Sequence, residues 1–269
     1  MNRSKKVILI TGASSGMGRA TALSLARQGF QVYAGSRTPE KLMGIKNLIP
    51  LALDVTDPCS VEEALSGLER IDVLINNAGY GLVSTVEEVN EAEMFAQFDV
   101  NVFGLLRVTK AVIPKMREQN QGIIINISSF LGKIGLPLFT FYNASKYAVE
   151  GITDSLRYEL KAFNIRVHSI MPGFFATNFA RDNLVINKWI FDEASPYRHI
   201  VSTLAPTIVE QINNGNNCSE IASLILKIIE DETFVARTTA GEKAEKFIPM
   251  KRELSDEDFE RRVREYYQL

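Results

Sequence analysis

Three side chains near the middle of the sequence have the types and the spacing that proton transfer requires. Tyr142 and Lys146 are four residues apart, which puts them on one face of a helix, and Ser129 lies thirteen residues before Tyr142. An ammonium about 4 Å from a phenol contributes about 4 kcal/mol at an effective dielectric constant of about 20, enough to lower the phenol's pKa by about three units. We therefore predict that Tyr142 acts as a general acid or base, tuned by Lys146, while Ser129 hydrogen-bonds a substrate oxygen.

A tyrosine and a lysine one turn apart also occur on ordinary solvent-exposed helix faces, so the pair needs a context. Upstream of it, residues 123–127 form an apolar run typical of a buried strand, and this run ends in Ser128 and Ser129. A glycine-rich loop lies near the N-terminus. The strand, the hydroxyls and the loop together favour the catalytic interpretation over the surface one.

The glycine-rich loop follows a predicted buried strand, 7–10, and precedes a predicted helix, about 18–28. Gly12 permits a tight turn, Gly16 lets backbone N–H groups approach a pyrophosphate, and Gly18 lets the helix pack closely on the strand. Because the positive end of the helix dipole faces this loop, we predict a dinucleotide-phosphate site there. Its residues are Gly12, Ser14, Ser15, Gly16, Met17 and Gly18.

The composition argues against several classes of protein. At 269 residues the chain fits one α/β domain over residues 1–269. Two cysteines and two histidines are too few for a disulfide framework or a histidine metal centre, so we expect no metal. The net charge of −2 argues against nucleic-acid partners. No apolar run reaches the roughly 18 residues of a membrane span. We therefore expect a cytoplasmic protein that has no membrane span.

Several motifs together resemble the short-chain dehydrogenase/reductase family over about residues 5–180. The loop spacing G-x-x-x-G-x-G departs from the G-x-G-x-x-G fingerprint but is similar to that family's loop. The other motifs, in the family's order and spacing, are Asn76-Asn77-Ala78-Gly79, Asn101, Ser129, Tyr142 and Lys146. The resemblance implies a Rossmann-type fold: an α/β, doubly wound, mainly parallel sheet of about seven strands with helices on both faces.

The residue patterns locate the elements of such a fold. They predict strands at about 7–10, 31–36, 51–53, 71–75, 122–127, 165–171 and 234–236. They predict helices at about 18–28, 58–69, 91–119, 141–163, 219–231 and 255–268. Residues 174–217 have a blurred pattern, and the resemblance implies that they form a substrate lid.

The resemblance also implies roles for individual residues. Asn101 would be a fourth catalytic residue, holding a water that connects to Lys146, and Ser129 has the family's spacing from Tyr142, with Ser128 as the alternative. The remaining implied cofactor contacts are Asp54, Val55, Asn77, Ala78, Gly79, Tyr142, Lys146, Pro172, Gly173 and Thr177. The family further implies a homodimer or homotetramer packed through the helices that carry Asn101 and Tyr142.

The end of the second predicted strand indicates which cofactor is preferred. An acidic residue there would hydrogen-bond the ribose 2′-hydroxyl of NAD, but none occurs between Phe30 and Pro39. Ser36 and Arg37 suit a 2′-phosphate instead, since arginine grips phosphate with forked donors. Arg37 could equally be a solvated surface charge. We predict NADP(H), with Arg37 as a ligand, in preference to NAD(H).

The residues expected around the substrate are apolar. They are Leu131, Ile134, Leu136, Phe174, Phe175 and, through the lid, Trp189 and Phe191, while Tyr197 is left open between the pocket and lid packing. Runs 135–141 and 172–180 contain no arginine or lysine to clamp an anion, and Lys133 is the nearest cation. Residues 135–151 resemble the 17β-hydroxysteroid and retinol dehydrogenase branch.

Two functions follow from these observations. The first is NADP(H)-dependent interconversion of a small hydrophobic ketone or aldehyde and its alcohol. The second is a non-catalytic dinucleotide sensor or scaffold, because one fold can serve several functions. Such a protein would not need Tyr142 or Lys146, so their presence favours the enzyme.

Overall fold

Buried apolar runs form the strands of a central parallel sheet. The computed structural model describes residues 6–176, 184–187, 189 and 192–269. Within them the strands are β1 Val7–Thr11, β2 Gln31–Ser36, β3 Leu48–Ala52, β4 Val73–Asn76, β5 Gly81–Val83, β6 Gly122–Ile127, β7 Ile165–Pro172, β8 Leu184–Ile186 and β9 Arg237–Ala240. Seven of the described strands form one sheet in the order β3-β2-β1-β4-β6-β7-β9, and all of its pairings are parallel. The predicted sheet is confirmed.

Helices cover both faces of this sheet. They are α1 Gly16–Arg27, α2 Pro58–Ser66, α3 Glu91–Phe98, α4 Leu105–Glu118, α5 Thr140–Glu159, α6 Arg198–Asn213, α7 Ser219–Glu230, α8 Glu242–Glu253 and α9 Asp256–Tyr267. A π-helical segment, Asp99–Gly104, joins α3 to α4. Within the described ranges, no helix combines the length and the apolar character needed to cross a membrane.

Strand β1 shows how the core is divided between the two faces. Ile8 and Ile10 pack with residues of α1 and α7, whereas Leu9 packs with residues of α2 and α4 on the other face. All three side chains are fully buried, and burying a side chain of this size contributes about 1.5–3 kcal/mol. Because both faces are covered, the strands appear in the sequence as continuous apolar runs.

The strand order creates a crevice at one edge of the sheet. β1 lies between β2 and β4, so the chain winds outward from β1 in both directions. Parallel strands end at the same edge, and open α/β sheets bind ligands beyond these carboxyl ends where the strand order reverses. The loops after β1, β4 and β6 therefore meet where a site is expected.

Several element boundaries differ from the sequence prediction. β3 begins at Leu48 rather than at residue 51, and the last strand is Arg237–Ala240 rather than 234–236. Arg237 to Thr239 are polar and half-buried, so they form no apolar run, and pairing with β7 decides the strand. The small β5–β8 pair and α8 were not predicted. Helix α8 is mostly charged, and burial of Ala244, Phe247 and Ile248 stabilises it.

Candidate active site

Helix α5 and the loop after β6 bring three of the predicted residues together. Tyr142 and Lys146 lie one turn apart near the start of α5, and the Lys146 Nζ is 5.7 Å from the centre of the Tyr142 ring. The Ser129 side chain hydrogen-bonds that of Tyr142 and also accepts a bond from the Leu131 N–H at 3.1 Å. The neighbouring Ser128 Oγ is buried without a hydrogen-bond partner among the described residues. The hydrogen bond to Tyr142 favours Ser129, whereas Ser128 is the serine of the pair that lines the cleft beside Tyr142.

The pKa values of Tyr142 and Lys146 are governed by burial. Burial raises the pKa of Tyr142 to about 12, although the hydrogen bond with Ser129 opposes the rise. Burial also lowers the pKa of Lys146 to about 8, against the charge of Glu150, while the Lys146 Nζ donates to the Ile127 carbonyl at 2.9 Å. The expectation that Lys146 lowers the pKa of Tyr142 is therefore wrong for this structure, since desolvation of the phenolate is the larger effect. Tyr142 is a protonated phenol at neutral pH.

Asn101 lies beside this group in the π-helical segment. Its Nδ2 donates to Ser145 Oγ on α5 and to the Tyr80 carbonyl, and its Oδ1 accepts from the Tyr80 N–H, each at 3.0 Å. The side chain is buried. A Cβ on Gly79 would lie 3.1 Å from Asn101 Oδ1 and 3.7 Å from Lys146 Nζ, so the glycine leaves space between the two side chains. A π-helical turn is common at functional sites and changes the direction of a helix side chain.

The loop after β1 forms a cradle that side chains would fill. Gly12 and Gly16 have φ values of 66° and 51°, in the left-handed region that favours glycine. A Cβ on Gly18 would lie only 2.4 Å from the Gly12 carbonyl oxygen and from Asn77 Nδ2. With α1 beginning at Gly16, its first N–H groups face this loop. Gly12 to Gly18, together with Asn77, are called the phosphate cradle below, because they fit a dinucleotide pyrophosphate.

Asn77 holds the cradle to the end of β4. Its Nδ2 donates to the carbonyls of Thr11 and Gly12 at 2.9 and 3.1 Å. The Thr11 Oγ1 in turn accepts bonds from the N–H groups of Asn77 and Ala78, both at 3.0 Å. The asparagine therefore braces the glycine loop and borders the predicted cofactor site at the same time.

A cleft of about 680 Å³ connects the cradle to Tyr142 and Lys146. The predicted residues that line it are Gly12, Ser14, Ser15, Gly16, Met17, Gly18, Arg37, Asp54, Val55, Asn77, Ala78, Gly79, Tyr142 and Lys146. Pro172, the last residue of β7, and Gly173, which follows it, are not among the lining residues, and a Cβ on Gly173 would lie 3.0 Å from the backbone nitrogen of Ala244. Thr177 lies outside the described residues. The structure thus brings most, but not all, of the predicted cofactor residues into one cleft.

The end of the cleft beside Arg37, called the adenosine end below, contains residues that the sequence analysis did not identify. They are Thr38, Lys41 and Thr56, and they line it together with Arg37 and Ser36, the two residues expected to suit a 2′-phosphate. Lys41 lies in a short helix at Pro39–Leu42, which brings it to the same end of the cleft as Arg37. Two cations at this end suit a phosphate group better than Arg37 alone.

Asp54 is held as a carboxylate at this end of the cleft. Burial opposes this, but hydrogen bonds from the backbone and side chain of Thr56 and the charge of Arg37 hold the pKa of Asp54 below its usual value. The Oδ1 of Asp54 accepts these bonds at 2.9 and 2.7 Å. Asp54 therefore orders the loop after β3.

The apolar residues expected around the substrate divide into three groups. Leu131, Ile134 and Leu136 are buried in a cluster against which Tyr142 and Phe174 also pack. Phe174 lies edge-on to Phe130, with ring centres 5.3 Å apart. Phe175 packs into the core on the α1 side instead of the cluster beside Tyr142. Trp189 is largely exposed, and Phe191 lies outside the described residues.

Lys133, the cation expected nearest to the substrate, forms an ion pair away from Tyr142. It forms an ion pair with Glu150 at 3.3 Å, and Arg237 Nε binds the same carboxylate at 2.7 Å. Glu150 is buried, and its other oxygen accepts a bond from Ser169. Lys133 is therefore directed to the back of α5 and does not serve as an anion clamp beside Tyr142.

Residues after β8 are tied to the loop and helix that follow β5. Asn187 Nδ2 donates to Glu93 Oε2 at 2.6 Å and to the Glu88 carbonyl at 3.2 Å. The Tyr197 hydroxyl donates to Glu87 at 2.8 Å, and Ser195 donates to Glu88. We call these contacts the acidic anchor; its residues are Glu87, Glu88, Glu93, Asn187, Ser195 and Tyr197. Tyr197 therefore packs through its hydroxyl on a surface carboxylate.

Comparisons with known proteins agree with this geometry. A family model described as short chain dehydrogenase matches residues 6–184. The chain is similar to the 3-ketodihydrosphingosine reductase of Bacteroides thetaiotaomicron, with 39% identity over 240 residues that cover 88% of each chain.

Solved structures match over almost the whole chain. A short-chain dehydrogenase from Streptomyces avermitilis has a TM-score of 0.83 at 32% identity, covering 98% of this chain and 97% of that one. A short chain dehydrogenase from Burkholderia cenocepacia in complex with NADP has a TM-score of 0.77 at 27% identity, covering 98% and 99%.

Proposed function

Because the chain belongs to the short-chain dehydrogenase family and is an oxidoreductase, we propose that it interconverts a hydrophobic ketone or aldehyde and the corresponding alcohol with NADP(H). The observation that carries this proposal is that Tyr142 and Lys146 line the same cleft as the phosphate cradle. A substrate oxygen at Tyr142 would then lie within reach of a cofactor bound along the cleft.

The proposed mechanism separates hydride transfer from proton transfer. The phosphate cradle and Arg37 would hold NADP(H), which would supply the hydride to the substrate carbon in reduction or accept it in oxidation. In reduction, Tyr142 donates its proton to the substrate oxygen, and its pKa of about 12 keeps that proton available at neutral pH. Ser129 donates a hydrogen bond to the same oxygen as negative charge develops. Lys146, with a pKa of about 8, is mostly charged at neutral pH and stabilises the resulting phenolate.

In this proposal, Asn101 supports the return of a proton to Tyr142. Its amide is fixed by Tyr80 and Ser145, and Gly79 leaves space between Asn101 and Lys146. A water in that space would join Lys146 to the backbone beyond it. Asn101 therefore acts by ordering the proton path, and Lys146, which lines the cleft, would also hold the ribose of the cofactor.

We propose that NADP(H) is preferred over NAD(H). Arg37 and Lys41 line the adenosine end of the cleft, and charge-assisted bonds to a phosphate contribute about 1.5–3 kcal/mol. Arg37→Asp should therefore weaken NADPH binding by about 10–100-fold and improve NADH binding. Lys46→Asp, an exposed cation outside the cleft lining, is the control. Equal kcat/KM for both cofactors in the wild type would refute the preference.

The proposed substrate is a bulky apolar ketone. Leu131, Ile134 and Leu136 are buried core residues outside the cleft lining. The half-buried Phe174 packs on their cluster together with Tyr142 and supports an apolar wall, where each buried methylene adds about 0.8 kcal/mol. Lys133 is paired with Glu150, so it offers no clamp for an anionic substrate. The reductase named for 3-ketodihydrosphingosine supports a ketone substrate. The resemblance to the 17β-hydroxysteroid and retinol dehydrogenase branch remains part of this proposal.

A comparison of substrates tests this proposal directly. NADPH consumption is measured with steroid, retinoid, long-chain and aryl carbonyl compounds, and with an anionic keto acid and a keto sugar of similar reactivity. We expect kcat/KM to be highest for an apolar compound. A preference for the keto acid or sugar would overturn the apolar pocket but leave the hydride chemistry intact. Absence of turnover across the whole panel would favour the dinucleotide sensor.

We also propose a homodimer or homotetramer packed through the helices near Asn101 and Tyr142. Phe103 in the π-helical segment and Tyr147 on α5 are about half exposed, and Tyr158 on α5 is 82% exposed. Aromatic residues are enriched at protein interfaces. Sedimentation velocity of the wild type and of Phe103→Asp tests the assembly, which should dissociate in the variant.

A further inference from the structure

A buried glutamine on α3 binds the backbone beside the candidate site. The Gln97 side chain has no exposed surface. Its Oε1 accepts a bond from the Leu82 N–H at 2.7 Å, and its Nε2 donates to the Tyr80 carbonyl at 2.8 Å. A buried amide with both ends satisfied by one short segment fixes that segment in position.

Asn101 binds the same segment one helical turn later. It bonds the N–H and the carbonyl of Tyr80, so Gln97 and Asn101 together make four bonds to the backbone from Tyr80 to Leu82. The Tyr80 carbonyl accepts from both amides. A shift of this segment at Gln97 would therefore change the hydrogen bonds that orient Asn101.

The opposite side of the segment joins the strand near the cleft. Leu82 pairs with Val185 in the β5–β8 sheet, and the Asn187 N–H donates to the Val83 carbonyl at 3.0 Å. Tyr80 and Val185 both line the cleft. The segment 80–83 thus lies between Asn101 and β8.

We propose that Gln97 is a positioning residue that holds the segment 80–82 so that Asn101 is correctly oriented for proton transfer and β8 is correctly placed at the cleft. This inference rests on the proposed function, because it acts through Asn101. Gln97 itself touches neither substrate nor cofactor. Its effect on turnover passes through the Tyr80 backbone.

Gln119 provides a matched control at the far edge of the sheet. Its Oε1 accepts from the Ile71 N–H at 3.2 Å and its Nε2 donates to the Ile71 carbonyl at 3.0 Å, which repeats the chemistry of Gln97. Ile71 precedes β4, at the end of the strand opposite to Asn76 and the cleft. Because Gln97 is fully buried and Gln119 is half-buried, the two variants are compared in kcat rather than in stability.

The first experiment compares Gln97→Leu with Gln119→Leu in the full chain. Gln97→Leu should lower kcat about tenfold, the effect of losing about 1.4 kcal/mol of hydrogen bonding, with the NADPH Kd within about twofold of wild type. Gln119→Leu should lower the melting temperature without lowering kcat. Equal losses of kcat in both variants, or in neither, would overturn the proposal.

A double-mutant cycle with Asn101→Ala shows whether the effect passes through Asn101. We expect Gln97→Leu to lower kcat little further when Asn101 is already alanine, because coupled residues are not additive. Equal losses in both backgrounds would overturn the inference alone. If Asn101→Ala left kcat unchanged, both this inference and the proposed role of Asn101 would fail.

Gln97→Glu keeps the proposal testable even if Gln97→Leu folds poorly. When protonated, the glutamic acid can accept from the Leu82 N–H and donate to the Tyr80 carbonyl, whereas the carboxylate can only accept. We expect kcat of Gln97→Glu relative to wild type to be highest at low pH and to fall as pH rises. A ratio that does not change with pH would count against the hydrogen-bond role.

Discussion

The phosphate cradle is held by side-chain bonds to the main chain and by glycine geometry, whereas the acidic anchor is held mainly by bonds between side chains. In the cradle, Asn77 bonds two backbone carbonyls, and Gly18 meets Gly12 at a distance that excludes a Cβ. In the acidic anchor, Asn187 and Tyr197 bond glutamate carboxylates 94 and 110 residues away. The first arrangement tolerates few residue types, while the second can be built from many hydrogen-bonding pairs.

This difference explains why the two regions differ in how readily a function can be recognised. A glycine requirement restricts the sequence at a fixed spacing, because no side chain fits at Gly18. A carboxylate can receive a bond from an amide, a hydroxyl or a phenol, as Glu93, Glu88 and Glu87 do. We propose that the cradle controls cofactor binding. We propose that the acidic anchor affects access of the substrate, because Asn187 directly follows β8, whose Val185 lines the cleft together with Tyr142.

The largest effect is expected from removing the hydroxyl oxygen of Tyr142. Tyr142→Phe keeps the ring but removes the proton donor, so kcat should fall by about 10²–10⁴-fold. NADPH binding, measured by fluorescence titration, should persist, which would show that the cradle works independently of the chemistry. Tyr147→Phe, at a half-exposed tyrosine on the same helix, is the control. Near-normal kcat in Tyr142→Phe would remove the general-acid assignment.

Adding one methyl group should break the cradle without touching the acidic anchor. A Cβ at Gly18 would meet backbone and amide atoms at 2.4 Å, so Gly18→Ala should cost about 1–3 kcal/mol of stability and weaken NADPH binding. Gly151→Ala in α5 has no atom within 4 Å of the new Cβ, and it should stabilise the helix by about 0.5–1 kcal/mol. Urea unfolding and NADPH titration of both variants measure the contrast. Equal behaviour of the two would refute the close packing at Gly18.

The pH dependence of reduction tests whether the charge of Lys146 is needed for catalysis. Burial lowers the pKa of Lys146 to about 8, so its charge is present below that pH and is lost as pH rises through it. We expect kcat/KM for reduction to be level at lower pH and to fall about tenfold per unit above pH 8. Tyr142, with a pKa of about 12, does not cause this fall.

Lys146→Arg is the control for the pH profile. The pKa of arginine lies far above that of Lys146, so the fall above pH 8 should disappear even if the rate is lower. A fall that persists in Lys146→Arg would assign the titration to another group.

The smallest effect is expected at the acidic anchor. Asn187→Ala removes its bonds to Glu93 and Glu88, a net loss of about 0.5–1.5 kcal/mol, so KM for the apolar ketone should rise about 2–10-fold. NADPH binding should not change. Asn217→Ala, which removes a cap at the start of α7, is the control. A larger effect on NADPH binding than on KM would break the division between the two regions.

The parts of the fold predicted best from sequence are those with local causes. β2, at Gln31–Ser36, matches the prediction because Gly29 before it and Pro39 after it limit the strand. The strand predicted at 234–236 forms at Arg237–Ala240 instead, since pairing with β7 outweighs the local apolar signal. Lys41 was missed because its position beside the cleft depends on a short helix after β2.

The sequence by itself determined the glycine loop, the spacing of Tyr142 and Lys146, and most of the buried strands, because each depends on steric limits or periodicity within a few residues. Tertiary structure decided what those residues experience. Burial set the pKa of Tyr142 to about 12, whereas the sequence argument expected a lowered value. Two contacts join residues that are distant in the chain, the ion pair of Lys133 with Glu150 and the hydrogen bond of Gln97 with Leu82. The exposure of Trp189 likewise depends on how the chain folds around it. Desolvation and long-range pairing depend on which segments pack together, and local spacing carries no record of that.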